Sequence, residues 1–205
     1  MKSALIVDDH PVVRAAVKIV LEQEGFKRIY EVASGNEVMA MLRDHAPDLL
    51  VLDLIMPGLD GLEVLERIRL SEFACRVLIF TSLDPLFFQE RCMRAGALAY
   101  VSKTNDLSLL HKAIQALMAG YTYFSRLPSP LDNLQSSEKQ MIDSLSNREL
   151  TICQHLANGL SNKAIAELMY LSHKTVSTYK TRLIEKLGVH SAVHLRDFAK
   201  RNRLI

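Results

Sequence analysis

The sequence predicts an α/β chain: a doubly wound, five-stranded parallel sheet followed by a C-terminal all-α domain of four helices. Three observations predict it. Over residues 4 to 120, five short β-branched or leucine-rich runs alternate with longer segments of helical period. Several of those runs are apolar without alternation, as strands covered by helices on both faces must be. From residue 146 onward the chain reads as four successive helical periods, and its charge balance turns basic.

The strand candidates are ALIV (4–7), IYEVA (29–33), LLVLD (49–53), RVLIFTS (76–82) and AYVS (99–102). Helices are expected to begin after them, near Pro11, Gly35, Gly61, Pro85 and Asn105, which makes five βα units and one domain over residues 1–120. SRLPSPLDNLQSSEKQ (125–140) is rich in Pro, Ser and polar residues with weak periodicity, and reads as a linker with a helical turn at its end. The linker is set at 121–143 and the second domain at 144–205. LSNRELTICQHLANG, LSNKAIAELMY, LSHKTVSTYKTRLIEKLG and VHSAVHLRDFAKRN supply its four helices, each with an N-cap candidate: Ser146, Ser161, Ser172 and Ser191. Ser146 with Glu149 three residues on is a capping box, and Gly159 and Gly188 are helix stops.

Composition narrows the function classes. With 49% hydrophobic and 23% charged residues the chain can bury a core. There is no apolar run near 18 residues, and no charged-then-apolar start with a cleavage site. Neither a membrane span nor a secretory signal is therefore expected, and the cytoplasm is the expected compartment. Cys75, Cys92 and Cys153 are odd in number and lack CxxC or Cys/His ligand spacing, which argues against a disulfide framework and a zinc site; each is expected to be a buried thiol. The net charge of +2 hides an asymmetry: residues 1 to 120 carry 13 Lys+Arg against 16 Asp+Glu, and residues 146 to 205 carry 10 against 4. A basic tail on a mildly acidic body points to a polyanion partner, nucleic acid before membrane.

In a doubly wound sheet ligands sit beyond the carboxyl ends of the strands. Asp8 and Asp9 stand at the end of the first strand, Asp53 at the end of the third, Thr81 at the end of the fourth, and Lys103 just past the fifth. A buried carboxylate without partners is costly, so Asp53 can close a core strand only if the chain emerges there or the carboxylate has company. The three aspartates offer hard oxygen ligands suited to magnesium. With Asp53 as nucleophile, its carboxylate attacks phosphorus in line, magnesium and the Lys103 ammonium offset charge on the equatorial oxygens, and the Thr81 hydroxyl binds one of them. Taken singly, each residue has a plain reading: Asp53 as a turn former, Lys103 as a solvated loop lysine, Thr81 as a strand end. Their coincidence on one rim favours the phosphoryl site.

In the tail, SNKAIAELMYLSHKTVSTYKTRLIEKL has the form of a helix, a short turn and a second helix. Ala164, Ile165 and Leu168 are expected to pack inward from the first, and Val176, Leu183, Ile184 and Leu187 form the apolar stripe of the second. The opposite face of the second carries Lys174, Thr175, Ser177, Thr178, Lys180, Thr181 and Arg182. Short hydroxyls mixed with cations suit base edges and phosphates. A solvated amphipathic helix is the alternative.

LIVDDHP, LLVLDLIMPGLDG, VLIFTS and AYVSK resemble the receiver domain of two-component response regulators, a flavodoxin-like fold, over residues 4 to about 120. By position, the resemblance implies that Asp53 is the phospho-acceptor, with Thr81 and Lys103 completing the catalytic set. It implies that Asp8, Asp9, Asp53 and the backbone carbonyl of Ile55 hold Mg2+, and that Thr81 and Tyr100 form the switch pair. One departure is Thr104, which follows Lys103 where many receivers have a cis proline. LSNRELTICQHLANGLSNKAIAELMYLSHKTVSTYKTRLIEKLGV resembles the LuxR-type helix-turn-helix domain, so the whole chain resembles a NarL/FixJ-type response regulator. RCMRAGALAYVSK and MAGYTYF further resemble the virulence-regulator branch that includes BvgA and EvgA.

The resemblance implies a transcription regulator rather than an enzyme acting on external substrates. Its implied partners are a sensor histidine kinase or phosphotransfer protein, double-stranded DNA bound as a homodimer, and RNA polymerase, with no membrane. Haloacid-dehalogenase-like phosphatases are a rival, but they need an acid two residues after the nucleophile, where Ile55 stands. No GxGxxG or GxxxxGK[ST] follows a strand, which disfavours a nucleotide-binding enzyme. A regulator working without phosphorylation is opposed by the intact rim, and a scaffold without DNA by the basic tail.

Overall fold

The computed structural model describes residues 1–205 apart from Gly58, Glu72, 127–135 and Arg203. The chain divides into two compact units, Met1–Arg126 and Leu127–Ile205. The linker expected over 121–143 falls in part on 127–135, outside the described residues.

Unit 1 contains five parallel strands, β1 (Ser3–Val7), β2 (Arg28–Val32), β3 (Leu49–Leu52), β4 (Arg76–Thr81) and β5 (Ala99–Ser102), in the order β2-β1-β3-β4-β5. The connecting helices are α1 (Pro11–Gln23), α2 (Val38–His45), α3 (Gly61–Arg69) and α4 (Pro85–Arg94), and α5 (Leu107–Met118) follows β5. Ala4, Ile6, Leu49, Val51, Leu78, Phe80, Ala99 and Val101 form one core with residues of α1 and α5. The intervening Leu5, Val7, Leu50, Leu52, Ile79 and Tyr100 are buried as well. Successive strand residues face opposite sides of a sheet, so burial of both sets means helices cover both faces. The apolar runs lack alternation for this reason. Asp60, Asp84 and Asp106 start α3, α4 and α5, each accepting a hydrogen bond from a first-turn amide.

The sequence pattern places the end of the first domain at residue 120, whereas residues 121 to 126 fall in unit 1. Tyr123 forms a parallel bridge to Ala99 on β5, and Ser125 bonds to the side chain of Gln89. One bridged residue leaves no two-residue period to detect.

Unit 2 contains α6 (Ser136–Asp143), α7 (Asn147–Ala157), α8 (Asn162–Leu168), α9 (His173–Leu187) and α10 (Ala192–Arg201). Ser146, Ser161, Ser172 and Ser191 all accept capping bonds, the Ser146–Glu149 capping box is complete, and Gly159 and Gly188 adopt positive φ past their helix ends. The core holds Leu150, Ile152, Cys153, Ile165, Val176, Leu183, Leu187, Leu195 and Phe198. What the sequence shows as a helical turn is α6, joined to α10 by the Glu138–Arg201 ion pair at 2.7 Å. Ile142 and Leu145 at its end are buried.

Two expectations need correction. Leu168 is exposed, because the buried face of α8 centres on Ile165 and Ala166, about a third of a turn away at 3.6 residues per turn. Ala164 is only half-buried. Cys75 is also half-buried, while Cys92 and Cys153 are buried; all three thiols are free, and burial pushes each up to about 12. Among the described residues no helix is long and apolar enough to cross a membrane.

Candidate functional site

The strand register creates the acidic rim. Val7 of β1 pairs with Leu52 of β3, so Asp8 and Asp53 leave adjacent strand ends side by side, and Asp53 N donates to Val7 O at 2.9 Å. Chain connections run in opposite directions from these two strands, the place where doubly wound sheets open a crevice. Thr81 ends β4, paired with Ser102 of β5, and Lys103 follows immediately. Gly61 brings the start of α3 against this corner. A Cβ there would lie 2.2 Å from Asp53 O and 2.7 Å from Leu54 Cα, so only glycine permits the approach.

Asp53 is buried and fully engaged. Its Oδ1 accepts from Leu54 N at 2.6 Å and Ile55 N at 3.3 Å, while its Oδ2 lies 2.6 Å from Lys103 Nζ. The same ammonium lies 2.7 Å from Asp8 Oδ2. Burial pushes the Asp53 carboxyl up, and the Lys103 charge and hydrogen bond pull against it. Burial acts to lower the Lys103 ammonium, but Asp53 and Asp8 outweigh it and hold it above its ordinary value. Thr81 is buried beside them.

Ligand oxygens of Asp8, Asp9 and Asp53 and a nitrogen of His10 lie within 4.8 Å of one another. Three carboxylates face one ammonium, a deficit of positive charge that a divalent cation would offset. The donor set fits a hard cation. His10 is a member of the rim that strand ends alone do not mark: its Nδ1 lies 2.8 Å from Asp9 Oδ1 and its amide donates to Asp8 Oδ1 at 3.0 Å. Its place directly after the aspartate pair in LIVDDHP was the available signal. Thr104 shapes the loop after Lys103 through its hydroxyl, 2.8 Å from Ser102 Oγ.

Tyr100 points inward. Its ring is buried, and its hydroxyl donates to Leu83 O at 2.9 Å, one residue before the cap of α4. Burial pushes this phenol far up, so it stays a donor.

In unit 2, Lys174, Ser177, Thr178, Thr181 and Arg182 are exposed on α9, and Thr175 and Lys180 are half-exposed. Thr175 also serves the cap, with its Oγ1 2.7 Å from Ser172 Oγ. The Thr178 and Thr181 hydroxyls donate to Lys174 O and Ser177 O, which leaves their oxygens to accept.

Residues 4–115 match the response regulator receiver domain, and residues 143–199 match the luxR family of bacterial regulatory proteins. The chain belongs to the response regulators. It is 48% identical over 204 residues to the virulence-factor transcription regulator BvgA of Bordetella pertussis, covering 98% of this chain and 97% of BvgA. It is 34% identical over 202 residues to the DNA-binding transcriptional activator EvgA of Escherichia coli, covering 98% and 99%. Among solved structures it resembles the response regulator RcsB in complex with DNA, at 25% identity and a TM-score of 0.58, over 97% of this chain and 98% of that one. This response regulator therefore combines a receiver domain with a LuxR-type DNA-binding domain; it is a transcription regulator and not an enzyme.

Proposed function

We propose that Asp53 accepts a phosphoryl group from the phosphohistidine of a sensor kinase or phosphotransfer protein, and that this controls pairing of the chain on DNA in the cytoplasm. The observation that carries the reading is the Lys103 ammonium, held 2.6 Å from the Asp53 carboxylate at the end of β3. Asp53 Oδ2, the oxygen that Lys103 now holds and would release, forms the new bond to phosphorus as the phosphorus–nitrogen bond breaks, and the departing imidazole keeps the electron pair and takes up a proton. Lys103 moves with the charge onto the phosphoryl oxygens, and the Thr81 hydroxyl donates to one of them. Asp8, Asp9, Asp53 and the Ile55 carbonyl would hold Mg2+, whose charge neutralises the phosphoryl oxygens. Tyr100 and Thr81 are the switch pair. The inward Tyr100 of this structure is the arrangement that phosphorylation favours.

On DNA, Lys174, Lys180 and Arg182 contact phosphates, and Thr175, Ser177, Thr178 and Thr181 present hydroxyl oxygens to base edges. One short recognition helix reads a half-site, so a homodimer on paired half-sites is the working form. Intact mass after incubation with acetyl phosphate and Mg2+ tests the acceptor. Wild type gains one phosphoryl group, Asp53→Asn gains none, and a magnesium-dependent adduct on Asp53→Asn would remove Asp53 from this role.

A further inference from the structure

The segment from 121 to 126 sits on the edge of the sheet in a way that ties it to the switch. A terminal strand such as β5 leaves N–H and C=O groups open along its outer side. Tyr123 covers them: its N–H donates to Leu98 O at 2.9 Å, and its C=O accepts from Tyr100 N at 3.0 Å. Two residues later a side chain takes over from the strand. Gln89 of α4 accepts from Ser125 N through Oε1 at 3.0 Å and donates to Ser125 O through Nε2 at 2.9 Å. Its amide thus imitates a neighbouring backbone. Gln89 is buried, and stripping these bonds from a buried amide is costly.

The same residues reach the phosphoryl site. Thr81 Oγ1 meets Leu83 N at 3.5 Å, Leu83 O accepts from the Tyr100 hydroxyl, and the Tyr100 amide holds Tyr123. The strap therefore reads Tyr100 through β5 and α4 through Gln89. We propose that residues 121 to 126 are a switch-dependent sixth strand, docked when Tyr100 is inward and released when it leaves, with Gln89 as the residue that positions the linker. The inference rests on the reading of Asp53, Thr81 and Tyr100 given above. Phosphorylation then fastens the strap and fixes where the linker leaves the receiver.

Amide hydrogen exchange on the full chain, with and without beryllofluoride and Mg2+, tests this in wild type and Gln89→Ala. In wild type the phosphoryl mimic slows exchange at Tyr123 and Ser125 about tenfold or more, the scale of one or two net hydrogen bonds. Gln89→Ala loses that protection and most of the gain in DNA affinity, while still taking a phosphoryl group on Asp53 and keeping the Phe88 amide of α4 protected. If an adduct forms on Asp53 but the strap exchanges equally fast with and without the mimic, the coupling is wrong. A Gln89→Ala protein that responds like wild type overturns it too. Absence of any adduct on wild type overturns the Asp53 reading and the coupling together.

Discussion

The Lys103 ammonium bridges two strand ends, 2.6 Å from Asp53 and 2.7 Å from Asp8. Both carboxylates are buried, so Lys103→Ala leaves two like charges facing each other without compensation. Loss of one partner from a buried ion pair costs about 3 kcal/mol. The variant should unfold at lower temperature than wild type, and Mg2+ should raise its midpoint by more than it raises the wild-type midpoint. Identical melting curves without metal would mean that the bridge contributes no stability.

Lys180→Ala and Arg182→Ala should each weaken binding to all DNA sequences and lower the salt slope by about 1. Thr178→Ala should change base preference with the slope kept, since its oxygen accepts rather than carrying charge. A salt titration of affinity on matched and mismatched sites distinguishes the two classes. An unchanged slope for Lys180→Ala would show that α9 does not dock as described.

Glu149 predicts an acid-sensitive unit 2. Burial pushes its carboxyl up, but the hydrogen bonds from Lys186 and Ser146 outweigh it and hold the group below its ordinary 4.5. A lowered folded value adds stability that is present above 4.5 and lost as pH falls through the lowered value. Lys186 is partly exposed, which discounts the pair to about 1 kcal/mol. Glu149→Gln should therefore be less stable than wild type at neutral pH, with the gap closing in acid. Circular dichroism melts across that range check it, and a gap that widened in acid would contradict the sign.

Ala46 ends α2 with φ 40 and ψ 58, a left-handed conformation that costs an L-residue about 1–2 kcal/mol. It is exposed, so Ala46→Gly loses little packing. The glycine variant should gain about 1 kcal/mol in urea unfolding. A lower midpoint would mean that the strain is absent.

Much of this was legible in the sequence because each signal was local and redundant. The five strands fall within a residue or two of their expected runs; in β1, β3, β4 and β5 burial on both faces admits almost nothing polar, while the edge strand β2 is half-exposed, carries Arg28 and Glu31, and is marked by Ile29, Tyr30 and Val32. The four serine caps were legible because an N-cap needs a short side-chain oxygen at one fixed position. Asp8, Asp53, Thr81 and Lys103 were placed by strand ends alone, and parallel register then brought Asp8, Asp53 and Lys103 together. What escaped depended on partners distant in sequence. Tyr123 joins β5 through one bridged residue, and Gln89 is recognisable only once Ser125 lies beside it. Leu168 shows the limit of helical period in a seven-residue helix, where one residue's shift of the buried face exposes an apolar side chain. His10 required the folded rim to show how close it comes to Asp9.

The most direct measurement is the affinity of wild type and Asp53→Asn for a paired half-site DNA, with and without acetyl phosphate and Mg2+. Phosphorylation should tighten wild-type binding by at least about tenfold, equal to about 1.4 kcal/mol of coupling, and leave Asp53→Asn unchanged. Equal tightening in both proteins, or none in a wild type shown by mass to be phosphorylated, would contradict control of DNA binding through Asp53.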